Sequence, residues 1–329
     1  MIRGHEPVKQ GERVAVIGAG LAGTLVAEGL HRLEAEVIVF DKSRGTGGRL
    51  AAARLGELSV DLGAPGLNRS QRSALEALLP ETSMPALSLW LPGAANFNLK
   101  PVSGPQLWMA RPRSSGLTRA LLNGIELNTR VRIARLIHED EASYRLEDET
   151  GIVQGRFDRV VIAAPAPQAV SLLECVPELQ QAVRKVEMEP RWILLLQLEQ
   201  RPDRLAQLEW LEGEHPVLQR VWSDGSKPGR SGETWAIEAR TDWSRQHVGD
   251  SPEQVQSALL QAFAALCTQP IKPVQQRIHR WLYADAGRQS LPVFCSDDAR
   301  VLVCGDWVAG GGIDGAILSA RQLLERVSP

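Results

Sequence analysis

The sequence predicts an α/β fold, and three observations carry that prediction. An apolar, β-branched run, Val14–Ile17, leads directly into Gly18, Gly20 and Gly23 in the spacing G-x-G-x-x-G. Leu21–Leu33 then has helical composition, and a second apolar run, Val37–Phe40, is closed by Asp41. Near the C-terminus, Val301–Val303, a glycine-rich turn and a helix to Val327 repeat the strand–turn–helix order. The first two observations together make a β-α-β dinucleotide fingerprint. Gly18 permits the tight turn, Gly20 lets a pyrophosphate approach the backbone, and Gly23 lets helix and strand pack closely. Phosphates belong at the start of the helix, where unpaired N–H groups and the dipole favour negative charge. Asp41 can accept hydrogen bonds from a ribose diol and would repel a 2′-phosphate. The plainer reading of the same residues is a glycine-rich turn in an ordinary βαβ unit.

The remaining elements follow in order. Residues 1–12 are polar and lack the apolar core of a signal peptide, so a short frayed tail is expected before the first strand. After Asp41 a second glycine-rich loop, KSRGTGG, is flanked by Arg44 and Arg49, which suits further phosphate or cofactor contact. Leu58–Ala64 reads as a short strand ending in DLGA. Gln71–Leu79 reads as a helix, and Pro80–Pro105 as a proline- and glycine-rich excursion. Ser114–Leu122 is a helix started by Ser114 or Ser115. Ile125–Leu136 and Tyr144–Leu146 have strand character, and Gly155–Phe157 begins a return to the sheet. Val160–Ala164 is a buried strand stopped by Pro165 and Pro167, with a short helix over Gln168–Leu173. Trp192–Leu198, Leu218–Trp222 and Thr234–Arg240 are strands, with Ser226–Gly232 as an exposed turn. Ser251, Pro252 and Gln254 start a helix with a serine cap and a capping-box glutamine. Val255, Leu259, Ala262, Phe263 and Leu266 then recur at helical spacing as a core stripe.

Composition excludes several classes. The net charge of −2 offers no basic field for nucleic acid, and no run of ~18 apolar residues suits a membrane span. The four cysteines contain no C-x-x-C pair and the six histidines no ligand spacing, so free thiols, no metal and a cytoplasmic location are expected. Nine tryptophans against two tyrosines would suit either a pocket for a flat aromatic substrate or ordinary core filling.

The order G-x-G-x-x-G, Asp41, DKSRGTGGR and DLGA resembles the flavin-containing amine oxidase superfamily, and within it the bacterial renalase-type FAD oxidoreductases. Further matching pieces are WMARP from Trp108, GLTR from Gly116, VVIAAPAP from Val160, KPGR from Lys227, DWS from Asp242, HRWLYA from His279 and CGDW from Cys304. The likeness runs from about Arg13 to Val327. It implies a Rossmann-like FAD-binding domain with a second α+β substrate domain, of p-hydroxybenzoate hydroxylase or amine oxidase type. Residues 1–69, 108–170 and 284–329 would form the first, and 70–107 with 171–283 the second. FAD is expected to be non-covalent, because Cys304 precedes glycine and lacks a flavin-linking context. Taken with the fingerprint, the resemblance implies cofactor contacts at Gly18, Gly20, Leu21, Ala22, Gly23, Asp41, Lys42, Arg49, Gly63, Ala64, Asp306, Ile313, Gly315 and Ala316. Asp306 is expected at the ribityl chain, and the backbone of Ile313–Ala316 at the flavin pyrimidine edge. An apolar strand residue, Ile133 or Val131, would lie beside the adenine. His279 and Trp281 are candidates for the substrate wall or equally for structural strand residues.

The activity implied is hydride transfer from a small substrate, a dihydronicotinamide isomer, to flavin N5, with dioxygen as acceptor giving hydrogen peroxide. A flavin amine oxidase with a reshaped pocket and a diverged flavoprotein that binds a partner are the rival readings. Two departures from the family pattern motivate them: Pro65, Gly66, Leu67 and Asn68 follow DLGA where a glutamine and two aromatics are usual, and Gly312, Ile313 and Asp314 stand where Arg, Val and Glu are usual.

Overall fold

Val14–Ile17 is apolar throughout and buried, and a strand of that kind needs cover on both faces. The computed structural model, which describes residues 6–140, 143–268, 270–291 and 294–329, supplies it. Arg13–Ile17 is the centre of a five-stranded sheet, between Arg159–Ile162 and Glu36–Asp41. Val301–Val303 and Glu126–Thr129 form the edges, and every pair is parallel. The helix Leu21–Arg32 crosses one face and packs on the last helix, Gly312–Val327. Gly29 makes that approach possible, since a Cβ there would stand 2.5 Å from the Leu324 methyls.

A six-stranded sheet is ordered Gln275–Asp285, Glu189–Leu198, Glu233–Ala239, Leu218–Ser223, Trp210–Glu212 and Ala94–Ala95. Its strands alternate cleanly. Trp192, Leu194 and Leu196 face the helix Pro252–Cys267, while Ile193, Leu195, Trp222 and Trp210 face the hairpin Ala52–Leu55 and Leu58–Asp61. The predicted capping box of that helix is present: Gln254 N donates to Ser251 Oγ at 3.3 Å, and Ser251 N donates to Gln254 Oε1 at 3.1 Å. Seven tryptophans (90, 108, 192, 210, 222, 235 and 307) are buried, so they fill cores rather than an open aromatic pocket.

Four expectations are corrected. The N-terminal segment is not loose from Val8 onward, because Val8 is buried and donates its N–H to Val327 O at 2.8 Å; residues 1–5 lie outside the described residues. The single strand over Ile125–Leu136 is two, Glu126–Thr129 and Ile133–Asp140, separated where Arg130 takes a left-handed φ of 61° and bonds to Ser43 O. Val153–Phe157 pairs in a separate three-stranded antiparallel sheet, not in the parallel one. Ser226–Gly232 is not simply an exposed turn: Lys227 is wholly buried and Arg230 nearly so.

Glu238 sits between Arg191 and Arg220 on the inner face of the six-stranded sheet, each guanidinium 2.8 Å from one carboxylate oxygen. Burial pushes its pKa up, but Arg220 and Arg191 outweigh that and hold it below the ordinary 4.5. Its contribution to stability is therefore complete above about 4.5 and is lost as pH falls through the lower folded value. Melting temperatures followed from about pH 6 to about pH 3 should fall less steeply for Glu238→Gln than for the wild type. Equal slopes would remove Glu238 from the acid response.

Candidate nucleotide and substrate site

The C-terminal ends of the parallel strands are where an open α/β sheet binds ligands, and the residues singled out in the sequence gather there. Gly18 follows the first strand with φ 115°. A Cβ on Gly23 would lie 2.1 Å from Gly18 O and 2.8 Å from Ala163 Cβ, so only glycine lets the helix start this close to the sheet. Asp41 ends the second strand; its carboxylate accepts from Ala19 N and Ser43 N, both at 2.7 Å. Lys42 Nζ reaches across the same edge to Gln168 Oε1 at 2.8 Å. Val131 N donates to Asp41 O, which sets Val131 beside the acid, while Ile133 is buried in the core below.

The second glycine loop lies against the first. Gly47 N donates to Ala19 O at 2.8 Å, and Gly20 and Gly47 form a parallel bridge. Arg49 leaves this loop and grips Asp306 with both terminal nitrogens, at 2.7 and 2.5 Å. The same guanidinium donates to Ala284 O at 3.0 Å. Asp306 Oδ2 also faces Gly312 N at 3.3 Å, the first residue of the last helix. Gly63 is pressed on Arg49 O, where a Cβ would stand at 1.9 Å, and Ala64 N donates to that oxygen at 3.0 Å. Arg49 therefore ties the loops bearing Gly47, Gly63 and Asp306 into one cluster. Gly315 stands over the Asp306 and Ala309 carbonyls; Ile313 and Ala316 flank it in the first turns of the last helix.

The helices differ in how their first turns are satisfied. The helices starting at Arg69 and Pro252 have complete capping boxes. The first and last helices begin after Gly20 and Gly311, which have no side chain to cap them; at the last helix Asp306 takes Gly311 N on its carbonyl and Gly312 N on its carboxylate, and a Cβ at Gly20, Gly310 or Gly312 would meet nothing within 4 Å. Uncapped N–H groups beside open space fit an anionic or electron-rich ligand. A dinucleotide's diphosphate fits the first such start and the oxygen edge of a ring the second.

His279 and Trp281 lie on the edge strand of the six-stranded sheet with ring centres 4.4 Å apart. Trp281 Nε1 donates to Leu62 O at 2.8 Å, directly before Gly63. Burial, then Arg277, push the His279 pKa down to about 4, so its imidazole is neutral near pH 7. The thiol of Cys304 is fully buried, and burial raises its pKa to about 12, which leaves it protonated and unreactive.

Two features were missed in the sequence. Asp61 Oδ2 accepts from Lys227 Nζ at 2.9 Å, Arg230 Nη2 at 2.6 Å and Ser114 Oγ at 2.7 Å. Ser114 is thus a partner of Asp61, not a cap, and the helix Gly116–Leu121 has no side-chain cap at Ser115. The D of DLGA and the K and R of KPGR were visible, but nothing local pairs them. The second is Gln71 Nε2, which donates to Asp314 Oδ2 at 2.7 Å. This bond joins the two stretches that depart from the family pattern: Asn68 caps the helix that carries Gln71, and Leu67 is buried with its backbone paired to Trp108.

Known proteins resemble this chain in sequence and in fold. The model of the flavin containing amine oxidoreductases matches residues 102–326, and that of an NAD(P)-binding Rossmann-like domain matches residues 16–81. Renalase of Mus musculus is 24% identical over 348 residues, covering 95% of this chain and 98% of its own. A putative protoporphyrinogen oxidase from Exiguobacterium superposes with a TM-score of 0.69 at 14% identity, covering 97% of this chain and 99% of its own. A CLA-producing fatty acid isomerase from P. acnes reaches 0.73 at 9% identity with the same coverage. Both structural likenesses speak to the fold.

Proposed function

The chain belongs to the flavin containing amine oxidoreductases, and from that premise we propose that it oxidises a small dihydronicotinamide isomer, passing a hydride to FAD, with dioxygen reoxidising the cofactor to yield hydrogen peroxide. It is an FAD-dependent oxidoreductase whose cofactor is held without a covalent bond. FAD, when bound, supplies the hydride acceptor. The observation that carries the reading is the Arg49–Asp306 pair, which joins the glycine loop at the start of the first helix to the start of the last.

In this reading, Gly18, Gly20, Leu21, Ala22 and Gly23 hold the diphosphate, and Asp41 and Lys42 the adenosine ribose. Ile133 or Val131 lies at the adenine. Asp306, braced by Arg49, accepts from the ribityl hydroxyls. Gly63 and Ala64 line the ring, and Ile313 presents its N–H to the pyrimidine edge, with Gly315, whose N–H is held by Gly311 O, and Ala316 in the turn behind it. The start of the last helix favours negative charge there by ~0.3–2 kcal/mol. Residues 1–69, 108–170 and 284–329 form the cofactor domain, and the remainder the substrate domain. His279 and Trp281 form the substrate wall; a neutral His279 places no cation against the ring. Loss of hydride from a dihydropyridine is driven by aromatisation, so the chain needs no general base.

Lys227 favours this reading over amine oxidation. It is the one lysine fully buried among the described residues, and Asp61 and Asp224 hold its ammonium at 2.9 and 2.7 Å. It is therefore not free to activate water beside an amine. The purified protein should show flavin absorbance that 2- or 6-dihydro isomers of NAD(P)H bleach anaerobically and that air restores. A flavin bleached only by amines would replace the substrate, and a colourless protein that binds no FAD would end the proposal.

A further inference from the structure

Four charged side chains lie buried between the sheets. Lys227 and Asp224 are 0% exposed, Asp61 1% and Arg230 4%. They come from distant parts of the chain. Asp61 ends the hairpin, while Asp224, Lys227 and Arg230 belong to the turn after Leu218–Ser223 in the six-stranded sheet. Lys227 is flanked by the rings of Trp90 and Trp222, which denies it water. Replacing such a cluster by apolar residues is often neutral or stabilising, so gross stability is a weak reason for it; fixing one arrangement is a better one.

The arrangement it fixes can be followed residue by residue. Asp61 N donates to Asp224 Oδ2 at 3.3 Å, and its carboxylate takes the Lys227, Arg230 and Ser114 donors. Leu62 O takes the Trp281 indole, Gly63 sits on Arg49 O, and Ala64 N donates to that oxygen. On the other side Ser114 is followed by Ser115, whose carbonyl accepts from Thr118 Oγ1 at 3.0 Å and whose Cβ faces Gly47. The Leu62–Ala64 turn therefore continues directly from this carboxylate's residue, whereas the Gly47 loop makes no bond to it and is held by Ala19 O instead.

We propose that Asp61 is a positioning residue: gripped by Lys227, Arg230 and Ser114, it sets the Leu62–Ala64 turn, and so the wall beside the flavin ring, against the six-stranded sheet. This rests on the cofactor placement proposed above. The adenosine–diphosphate end of the site is held by other residues, and that difference makes the role testable. Full-length Asp61→Asn protein, stripped of flavin, should bind ADP within about twofold of the wild type but FAD about tenfold more weakly, with an altered visible circular dichroism of the bound flavin. Should D61N not fold, Ser114→Ala removes one donor to the same oxygen and should show the same split at about threefold. ADP and FAD affinities falling in equal proportion, or an unmoved flavin dichroism, would overturn the inference alone. Wild-type protein that binds FAD no better than ADP would overturn the placement beneath it.

Discussion

Gly23→Ala should yield a protein that is destabilised by about 3 kcal/mol or more and purifies without flavin. The added methyl has no room: it would stand 2.1 Å from a backbone oxygen, and neither Gly18 nor Ala163 can move without carrying a central strand with it. Gly20→Ala is the informative partner. Its methyl enters open space at an unexceptional φ of −77°, so folding should change by less than about 1 kcal/mol while the methyl occupies the proposed diphosphate position. Denaturant melts and flavin content of the two variants should therefore dissociate, one losing fold and cofactor together, the other cofactor alone. A yellow G23A with a wild-type melt would refute the packing role, and a yellow G20A of unchanged affinity would refute the diphosphate position.

Lys227→Met is expected to cost about 3–5 kcal/mol, the range for breaking a buried ion pair from one side. Two carboxylates without water access then share Arg230 alone. Burial lifts Asp224, with Lys227 offsetting part of the rise and Asp61 adding to it, whereas Lys227 and Arg230 hold Asp61 low against its own burial. Removing the ammonium makes both acids harder to ionise. The double variant K227M/D224N balances the charge again and should recover more than half of the loss in equilibrium unfolding. A single variant within about 1 kcal/mol of the wild type would show that the cluster is solvated in practice.

Local patterns made the parallel sheet legible. Apolar runs, glycine spacing and a terminal acid mark strand, turn and strand within one window, and the serine–glutamine box of Ser251 and Gln254 marks its helix equally well. What escaped depends on partners far apart. Asp61 and Lys227 are 166 residues apart, and Gln71 and Asp314 are 243 apart. A turn written SDGSKPGR has the composition of a solvated loop, and its burial becomes affordable only because a distant carboxylate meets it. The strand through Ile125–Leu136 failed for the opposite reason: its composition is uniform, and the break at Arg130 is a backbone event with no glycine or proline to announce it. Pro65–Asn68 stands where a glutamine and two aromatics are usual, which in the sequence points only to a reshaped pocket. In the folded chain Leu67 joins the core and Asn68 caps a helix, so that stretch answers to packing as well as to any ligand.

The edge strand Gln275–Asp285 holds His279 and Trp281 on the inner sheet face and, a few residues later, delivers Ala284 to Arg49. Inserting or deleting one residue there would reverse which side chains face inward and pull Ala284 off its guanidinium at once. Length along this stretch is consequently constrained by the Arg49 contact, whereas its side chains can be exchanged without moving Ala284.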